Sequence, residues 1–428
     1  MKKFTNSNQL FKQVKEVIPY ASQTFSKSFY QYIKGEAPLF ATEAKGAYIY
    51  DVDGNRYIDM INGLLPVVLG YQYKAVDDAI KAQLKKGIIF SLPSLLEYEL
   101  AKLLKKHIPS AEMSRFGKNG SDATSGAIRV ARAVTGRDYI AVCGYHGWHD
   151  WYIGSTTRNL GVPESTRKMT YKFEYNNIQS LEALFKKYPK KIAAVILEPE
   201  NYEPPKDNFL KKVVDVAHKN GALAVFDEVI TGFRWDLGGA QKYYGVTPDL
   251  SSFGKSMANG MPISALVGKR KYMEKVNDIF YSFTAGGEAL SLAAAIATIK
   301  EMEKKPVIKK LWTLGGLLKN GVKNLVKTHN LEDVIGMKGQ APWQIFSFHE
   351  ANGFSDLEIK TYVQQEMLQA GVLWYGSHNM SYAHSPNDVK FLIKTYDKVF
   401  GNLRNLLDQK TLRKNIKGGL ITNIFKVR

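Results

Sequence analysis

Apolar positions along the chain follow two rhythms. The stretch Met1–Tyr20 carries Leu10, Phe11, Val14, Val17 and Ile18 at the spacing of a helix with one apolar face. From Gly46 to Met60 apolar and polar residues alternate around Asp53-Gly54, which predicts two short strands joined by a hairpin turn. Helical spacing returns from Tyr71 to Ile108. Between Arg115 and Gly268 five short runs are apolar almost throughout: Tyr139–Cys143, Ile192–Leu197, Ala222–Phe226, Leu250–Phe253 and Ala265–Val267. Runs of this kind, ended by polar or Gly residues and separated by helical text, mark strands buried on both faces of a mostly parallel sheet. After Glu288 the text is helical to Lys305, and then helix and strand mix. The pattern predicts an α/β protein with an N-terminal segment 1–65 packing with a small domain, a large domain 66–305 and a small α+β domain 306–428.

Composition narrows the class. With 428 residues, 45% of them hydrophobic and 23% charged, the chain has material for more than one globular core. No stretch reaches the roughly 18 apolar residues of a membrane span, and the N-terminus lacks the apolar run of a signal peptide. Cys143 is the only cysteine, so no internal disulfide is available and a reducing compartment suits the chain. The cytoplasm is the expected location. The net charge of +19 is large, but the basic residues are spread along the chain, so solvated helix faces explain it better than nucleic acid. The exception is the basic stretch Lys410–Arg428.

In a mostly parallel sheet the ligand sits beyond the carboxyl ends of the strands, so the polar residue after each apolar run is the place for chemistry. Asp227 follows Ala222–Phe226 directly, and a carboxylate at such a strand mouth needs a partner such as a protonated pyridine nitrogen. Lys255 follows Leu250–Phe253 and Gly254; a lysine there, against an apolar wall, can lose its charge and attack an aldehyde. Gly254-Lys255-Ser256 is not the end of a nucleotide-binding loop, because that pattern needs Gly where Asp249 stands, and no GxGxxG follows a strand. Gly120 and Ser121 open a predicted helix, where Gly permits a tight turn, Ser can cap and the free N–H groups favour a phosphate. Gly144-Tyr-His-Gly-Trp-His-Asp150 reads either as metal ligands or as an aromatic platform with Tyr145 and His146 over a planar ligand. No further ligand of recognisable spacing lies nearby, so no metal is expected.

Together these residues resemble the class III, or ω-type, aminotransferases, and within them the glutamate-1-semialdehyde 2,1-aminomutase branch. The resemblance runs from Ala37 to Gly287, with a weaker echo beyond, and is carried by FDEVITGFR, GVTPDLSSFGKSMANGMPISALVGKR and YHGWHD in that order. It implies a fold-type I transferase that uses pyridoxal 5'-phosphate. It further implies that Lys255 binds the cofactor as a Schiff base, that Asp227 pairs with its ring nitrogen, and that Tyr145 and Val229 flank the ring. Gly120 and Ser121 would hold the phosphate, and Thr284 would reach the phosphate of a partner subunit in a homodimer with shared sites. His146 and Glu198 match positions near the cofactor. The activity implied is amino transfer between a small-molecule amino donor and a carbonyl acceptor.

Several positions depart from the family pattern. Lys27 stands where the aminomutases carry a carboxylate-gripping arginine, and lysine lacks the bidentate fork, so a different anion is expected as substrate. Gly287-Glu288-Ala289 replaces Gly-Asn-Pro, and the loop Gly154–Glu164 is shortened. Met380–Ser385, with His384 as a candidate substrate contact, lacks the arginine that many ω-transaminases use for a dicarboxylate. Two other readings stand beside amino transfer: an intramolecular aminomutase or racemase on the same scaffold, and a basic binding protein whose fold has lost catalysis.

Overall fold

The computed structural model describes residues 2–422. The chain divides into two compact units, Lys74–Ile308 and one assembled from residues up to Tyr73 with those from Lys309 onward.

The unit Lys74–Ile308 is built on a seven-stranded sheet of β1 (Met113–Gly117), β2 (Tyr139–Cys143), β3 (Thr170–Lys172), β4 (Ile192–Leu197), β5 (Leu223–Asp227), β6 (Leu250–Phe253) and β7 (Ser264–Gly268). Their spatial order is β1-β7-β6-β5-β4-β2-β3. Strands β2 to β6 run parallel, whereas β7 is antiparallel to both β1 and β6. The five central strands are the apolar runs of the sequence; β5 begins and ends one residue later than its run. The two strands without such a run, β1 and β3, are the edges. Edge strands are covered less completely, and Met-Ser-Arg-Phe-Gly and Thr-Tyr-Lys accordingly read as mixed text.

Alternate residues of each strand enter opposite layers. Ile140, Val142, Ile196 and Val225 pack against Ala123, Ala127, Val130 and Ala131 of α1 (Gly120–Thr135). Ala141, Cys143, Val195 and Phe226 pack on the other side with Leu181, Phe185, Val213 and Ala217. This is why β4 is buried at every position, and why its sequence shows no alternation. The helical text before β1 is two helices, Lys74–Leu84 and Leu95–His107. Ser94 starts the second with a capping box: its Oγ accepts the Leu96 N–H (3.2 Å) and its own N–H donates to Glu97 Oε1 (2.9 Å). Both helices pack on α2 (Ala289–Lys304), which is buried around most of its circumference.

The other unit contains the predicted N-terminal helix, Thr5–Val17, and the predicted hairpin, with Tyr48–Asp51 paired antiparallel to Arg56–Asp59. Asp51 holds the turn by accepting N–H groups of Asp53 and Asn55 (3.0 and 2.7 Å) and the Tyr57 hydroxyl (3.0 Å). Val372–Leu373 extends this sheet in parallel, Val372 opposite Ile58. Phe4, Tyr32, Ile33, Tyr57, Ile61 and Leu368 form its core. A second, three-stranded sheet joins Ile335–Gln340, Trp343–Phe348 and Ser377–Asn379. Its edge strand Ser377–Asn379 carries His378, whose Nδ1–H donates to Gln344 Oε1 (2.9 Å) of the central strand while Nε2 accepts the Tyr396 hydroxyl (2.7 Å). That pattern is satisfied by a neutral ring, and burial pushes the imidazole down to about 3. Among the described residues no helix is long and apolar enough to cross a membrane.

Candidate functional site

Strand register brings the candidate residues of the large unit to one edge. Cys143 lies opposite Leu197, Leu197 opposite Phe226, Asp227 opposite Ser252, Phe253 opposite Ala265, and Ser264 opposite Gly117. The segments leaving this edge are Gly144-Tyr145-His146 from β2, Glu198 from β4, Glu228-Val229 from β5, Gly254-Lys255 from β6 and, beyond β1, the start of α1. The antiparallel direction of β7 leaves the edge intact, because β1 ends where β7 begins.

Asp227 and His146 form its buried centre, 5% and 1% exposed. His146 Nδ1 lies 2.8 Å from Asp227 Oδ2, and His146 Nε2 lies 3.1 Å from the Cys143 carbonyl oxygen. Nδ1 and a carboxylate make a hydrogen bond only with a proton between them. Asp227 Oδ1 accepts the Val229 N–H (3.1 Å), which fixes the carboxylate plane. Thr124 Oγ1, one turn into α1, donates to the His146 carbonyl (2.9 Å) and ties the histidine segment to that helix.

The start of α1 faces the same place. Asn119, not Ser121, is its cap residue, and Asp122 Oδ2 accepts the N–H groups of Lys118 and Asn119 at 2.8 Å each. The first-turn N–H groups of a helix have no partner within it, which leaves Gly120 and Ser121 to present donors to an anion. Ser121 Oγ accepts the Trp148 N–H (3.3 Å), and Gly147, with φ +100°, allows that approach: a Cβ there would lie 2.2 Å from Ser121 Oγ. Val229 stands over this start, since a Cβ on Gly120 would lie 3.0 Å from Val229 Cγ1. A Cβ on Gly254 would lie 3.6 Å from the same Val229 atom and 3.9 Å from Gly120 Cα. Gly120, Val229 and the residue before Lys255 thus converge. Lys255 is partly buried and has φ 38°, a left-handed conformation that costs a non-Gly residue about 1–3 kcal/mol and marks a special site.

Glu198, 3% exposed, accepts the Tyr145 N–H at Oε2 (3.1 Å) and so sets the exit of β2. The Tyr145 ring meets Tyr152 edge-on, 5.6 Å between centroids. Glu228 points away from the edge residues into the unit, accepting the N–H groups of Ala240 and Gln241 (2.7 Å each), and burial pushes its carboxyl up to about 7. Cys143 is buried, which raises its thiol to about 12 and leaves it unreactive. Thr284 lies on an exposed turn before α2. Thr124, Asp122 and Gly147 were not singled out from the sequence, although each stands within two or three residues of one that was; what they do depends on contacts between segments that the sequence does not order.

Lys27 and His384 belong to the other unit. Lys27 is exposed, and its charge acts on the buried carboxyl of Asp59, which burial raises above the usual carboxylate range. His384 is completely buried; its Nδ1 accepts the Ser381 N–H (2.9 Å), and burial pushes the ring down to about 4. A neutral, sequestered ring is a packing element, and we assign it no substrate contact.

An acid backed by a histidine, an amine, a helix start with free donors and an apolar residue between them fit a phosphorylated pyridine aldehyde. Comparison with known proteins agrees. The family model for aminotransferase class-III matches residues 30–387. A 3-aminobutyryl-CoA aminotransferase of Cloacimonas acidaminovorans is 35% identical over 418 residues, covering 95% of this chain and 99% of the relative. A glutamate-1-semialdehyde 2,1-aminomutase of Archaeoglobus fulgidus is 35% identical over 427 residues, covering 94% and 100%. Among solved structures, the FumI protein of Sphingopyxis sp. MTA144 in its PLP internal aldimine form superposes with a TM-score of 0.87 at 31% identity, covering 94% of this chain and 98% of that one. The chain belongs to the class-III aminotransferases, a family of pyridoxal-5'-phosphate-dependent enzymes.

Proposed function

We propose that the edge of the large unit is the active site of this aminotransferase, with Lys255 as the cofactor-bearing lysine and Asp227 as the acid at the ring nitrogen. The observation that carries the reading is the buried Asp227–His146 pair, which holds a proton at the exit of β5 while Lys255 leaves the adjacent strand. Bound there, the cofactor supplies an electron sink for the amino-bearing carbon of the substrate. Asp227 keeps a proton on the ring nitrogen, and His146 keeps Asp227 oriented. Val229 and Tyr145 flank the ring, and Glu198 holds the segment that carries Tyr145. Gly120 and Ser121 take the phosphate. Lys255 would hold the cofactor, and its Nζ would carry the proton to and from the substrate carbon.

A homodimer completes the site. Ile89, Leu92, Leu95 and Phe280 are exposed by 53, 77, 80 and 82%, and the first three lie on the segment that the Ala289 N–H ties down through Ile88 O (2.8 Å), beside the turn carrying Thr284. Apolar surface of that extent supports an interface there, and Thr284 at its margin would serve a partner's phosphate. The substrate is a small amino donor and an aldehyde or ketone. A reducing compartment such as the cytoplasm suits the single, buried cysteine.

Titration of the purified protein with pyridoxal 5'-phosphate tests the assignment. The expected result is visible-range absorption from lysine-bound cofactor, bleached by an amino donor with one equivalent of keto product released, and loss of both in Lys255→Ala. A Lys255→Ala protein that still transfers amino groups refutes the role of Lys255. Bleaching without keto release would instead favour an intramolecular aminomutase.

A further inference from the structure

The segment that replaces Gly-Asn-Pro is built into the phosphate end of the site. Lys118 Nζ donates to Glu288 Oε2 (2.9 Å) and to Ser291 Oγ (3.3 Å), and the two charged side chains are only 18% and 12% exposed. Glu288 also caps α2, accepting the N–H groups of Leu290 and Ser291 (2.6 and 3.2 Å). Lys118 sits two residues before Gly120, and its own N–H is held by Asp122. At the other end of the Thr284 turn, Tyr281 is fixed to the same β1–α1 segment. Its hydroxyl donates to Asp122 O (3.0 Å), its carbonyl accepts from Arg115 Nη2 (3.2 Å), and its ring leaves room only for glycine at position 126. The span 281–288 is therefore pinned at both ends to the residues that open α1, and Thr284 lies between the pins.

We propose that Lys118 and Glu288 are a positioning pair for cofactor phosphate recognition. Resting on the assignment of Ser121 and Thr284 to the phosphate, the inference is that one ion pair sets the α1 start of a subunit and the turn it offers to its partner as a single body. A shielded, charge-assisted hydrogen bond holds a geometry that water would otherwise loosen. Neither side chain need touch the cofactor. Charge alone and position make opposite predictions. Removing the Glu288 anion strengthens phosphate binding if only the local charge matters, because a repulsive group is lost; it weakens binding if the pair holds the cradle in place.

The experiment compares dissociation constants of pyridoxal 5'-phosphate and of pyridoxal, which lacks the phosphate, for wild type, Lys118→Met, Glu288→Gln, the double variant, Lys118→Arg and Ser121→Ala, with thermal melting of each apo protein as the fold control. Both single variants are expected to lose about tenfold in affinity for the phosphorylated form, the size of one charge-assisted hydrogen bond, with pyridoxal affinity unchanged. The double variant should lose no more than the weaker single one, since both remove the same contact. Lys118→Arg should stay close to wild type. Tighter binding by Glu288→Gln, or equal losses for both ligands, overturns the proposal. If Ser121→Ala loses its preference for the phosphorylated form while Lys118→Met and Glu288→Gln keep theirs, the site assignment stands and the positioning pair falls. If wild type shows no such preference, the phosphate assignment itself fails and the pair with it.

Discussion

Replacing Asp227 by Asn or by Ala separates its part in catalysis from its part in the fold. In the wild-type unit Asp227 Oδ1 accepts the Val229 N–H at 3.1 Å and Oδ2 faces His146 Nδ1 at 2.8 Å across a shared proton. An asparagine keeps both contacts. Its carbonyl takes the Val229 N–H, and its amide donates to Nδ1 of a neutral His146 while Nε2–H reaches the Cys143 carbonyl. Two neutral hydrogen bonds replace two made to a carboxylate, so the loss in stability is about 1–2 kcal/mol. Alanine leaves His146, 1% exposed, with a buried nitrogen and no partner. Loss of one member of a buried charged pair costs about 3–5 kcal/mol, and for a unit of 150–250 residues each kcal/mol moves Tm by about 2–4 °C. Asp227→Ala is therefore expected to melt about 6–20 °C below wild type. On the proposed assignment catalysis ranks the variants differently, because neither side chain would hold a proton on the cofactor ring nitrogen. Both should lose at least about 100-fold in the rate of the amino-donor half-reaction, the scale of a lost preorganised charge. Scanning calorimetry of the apo proteins and single-turnover spectroscopy read the two effects separately. An Asp227→Asn protein that melts with the Ala variant, or that turns over within threefold of wild type, refutes the shared-proton account.

Two further substitutions test other contacts. Gly147→Ala places a Cβ 2.2 Å from Ser121 Oγ on a residue with φ +100°, so it should destabilise the unit by about 2–4 kcal/mol and weaken cofactor binding by about tenfold. Unchanged melting and binding would show that the turn does not support Ser121. His378 is neutral in the folded state down to about 3, against an ordinary value of 6.5. Its unfolded form gains a proton first as the pH falls, so its stabilising contribution is complete above 6.5 and declines on acidification, by about 2 kcal/mol at about pH 5. Urea midpoints of wild type and His378→Gln at pH 7 and pH 5 should differ in slope; parallel behaviour would refute it.

The legible parts of the sequence share a physical cause. Strands β2, β4 and β5 announce themselves because burial on both faces favours apolar residues at nearly every position, while β6 keeps the buried Ser251 and Ser252 between Leu250 and Phe253; Asp227 and Lys255 are conspicuous at the ends of such runs. Edge strands β1 and β3 escape notice because partial exposure lets Ser114, Arg115 and Lys172 stand in them. The break at Ser94 was written in a capping box that helical spacing alone overlooks. The polar residues at the strand ends were legible in the sequence, and their placement relative to one another was not. The closeness of His146 to Asp227 depends on β4 and β5 lying where they do in the sheet, and that spatial order reverses relative to chain order at β2. His384 was chosen from a missing arginine nearby, a signal that carries no information on burial.

The parallel pairing of Val372 with Ile58 has a consequence for birth on the ribosome. The strand Arg56–Asp59 is among the first elements made, yet its neighbour Val372–Leu373 is translated only after the whole of Lys74–Ile308. At about 5–20 residues per second the wait is on the order of 15–60 seconds. During it the intervening unit has all its own strands and can fold first, while the nascent hairpin keeps an unsatisfied edge. The parallel pairing is therefore a late event in the life of the chain, made only once the strand from the far side of the intervening unit has been synthesised.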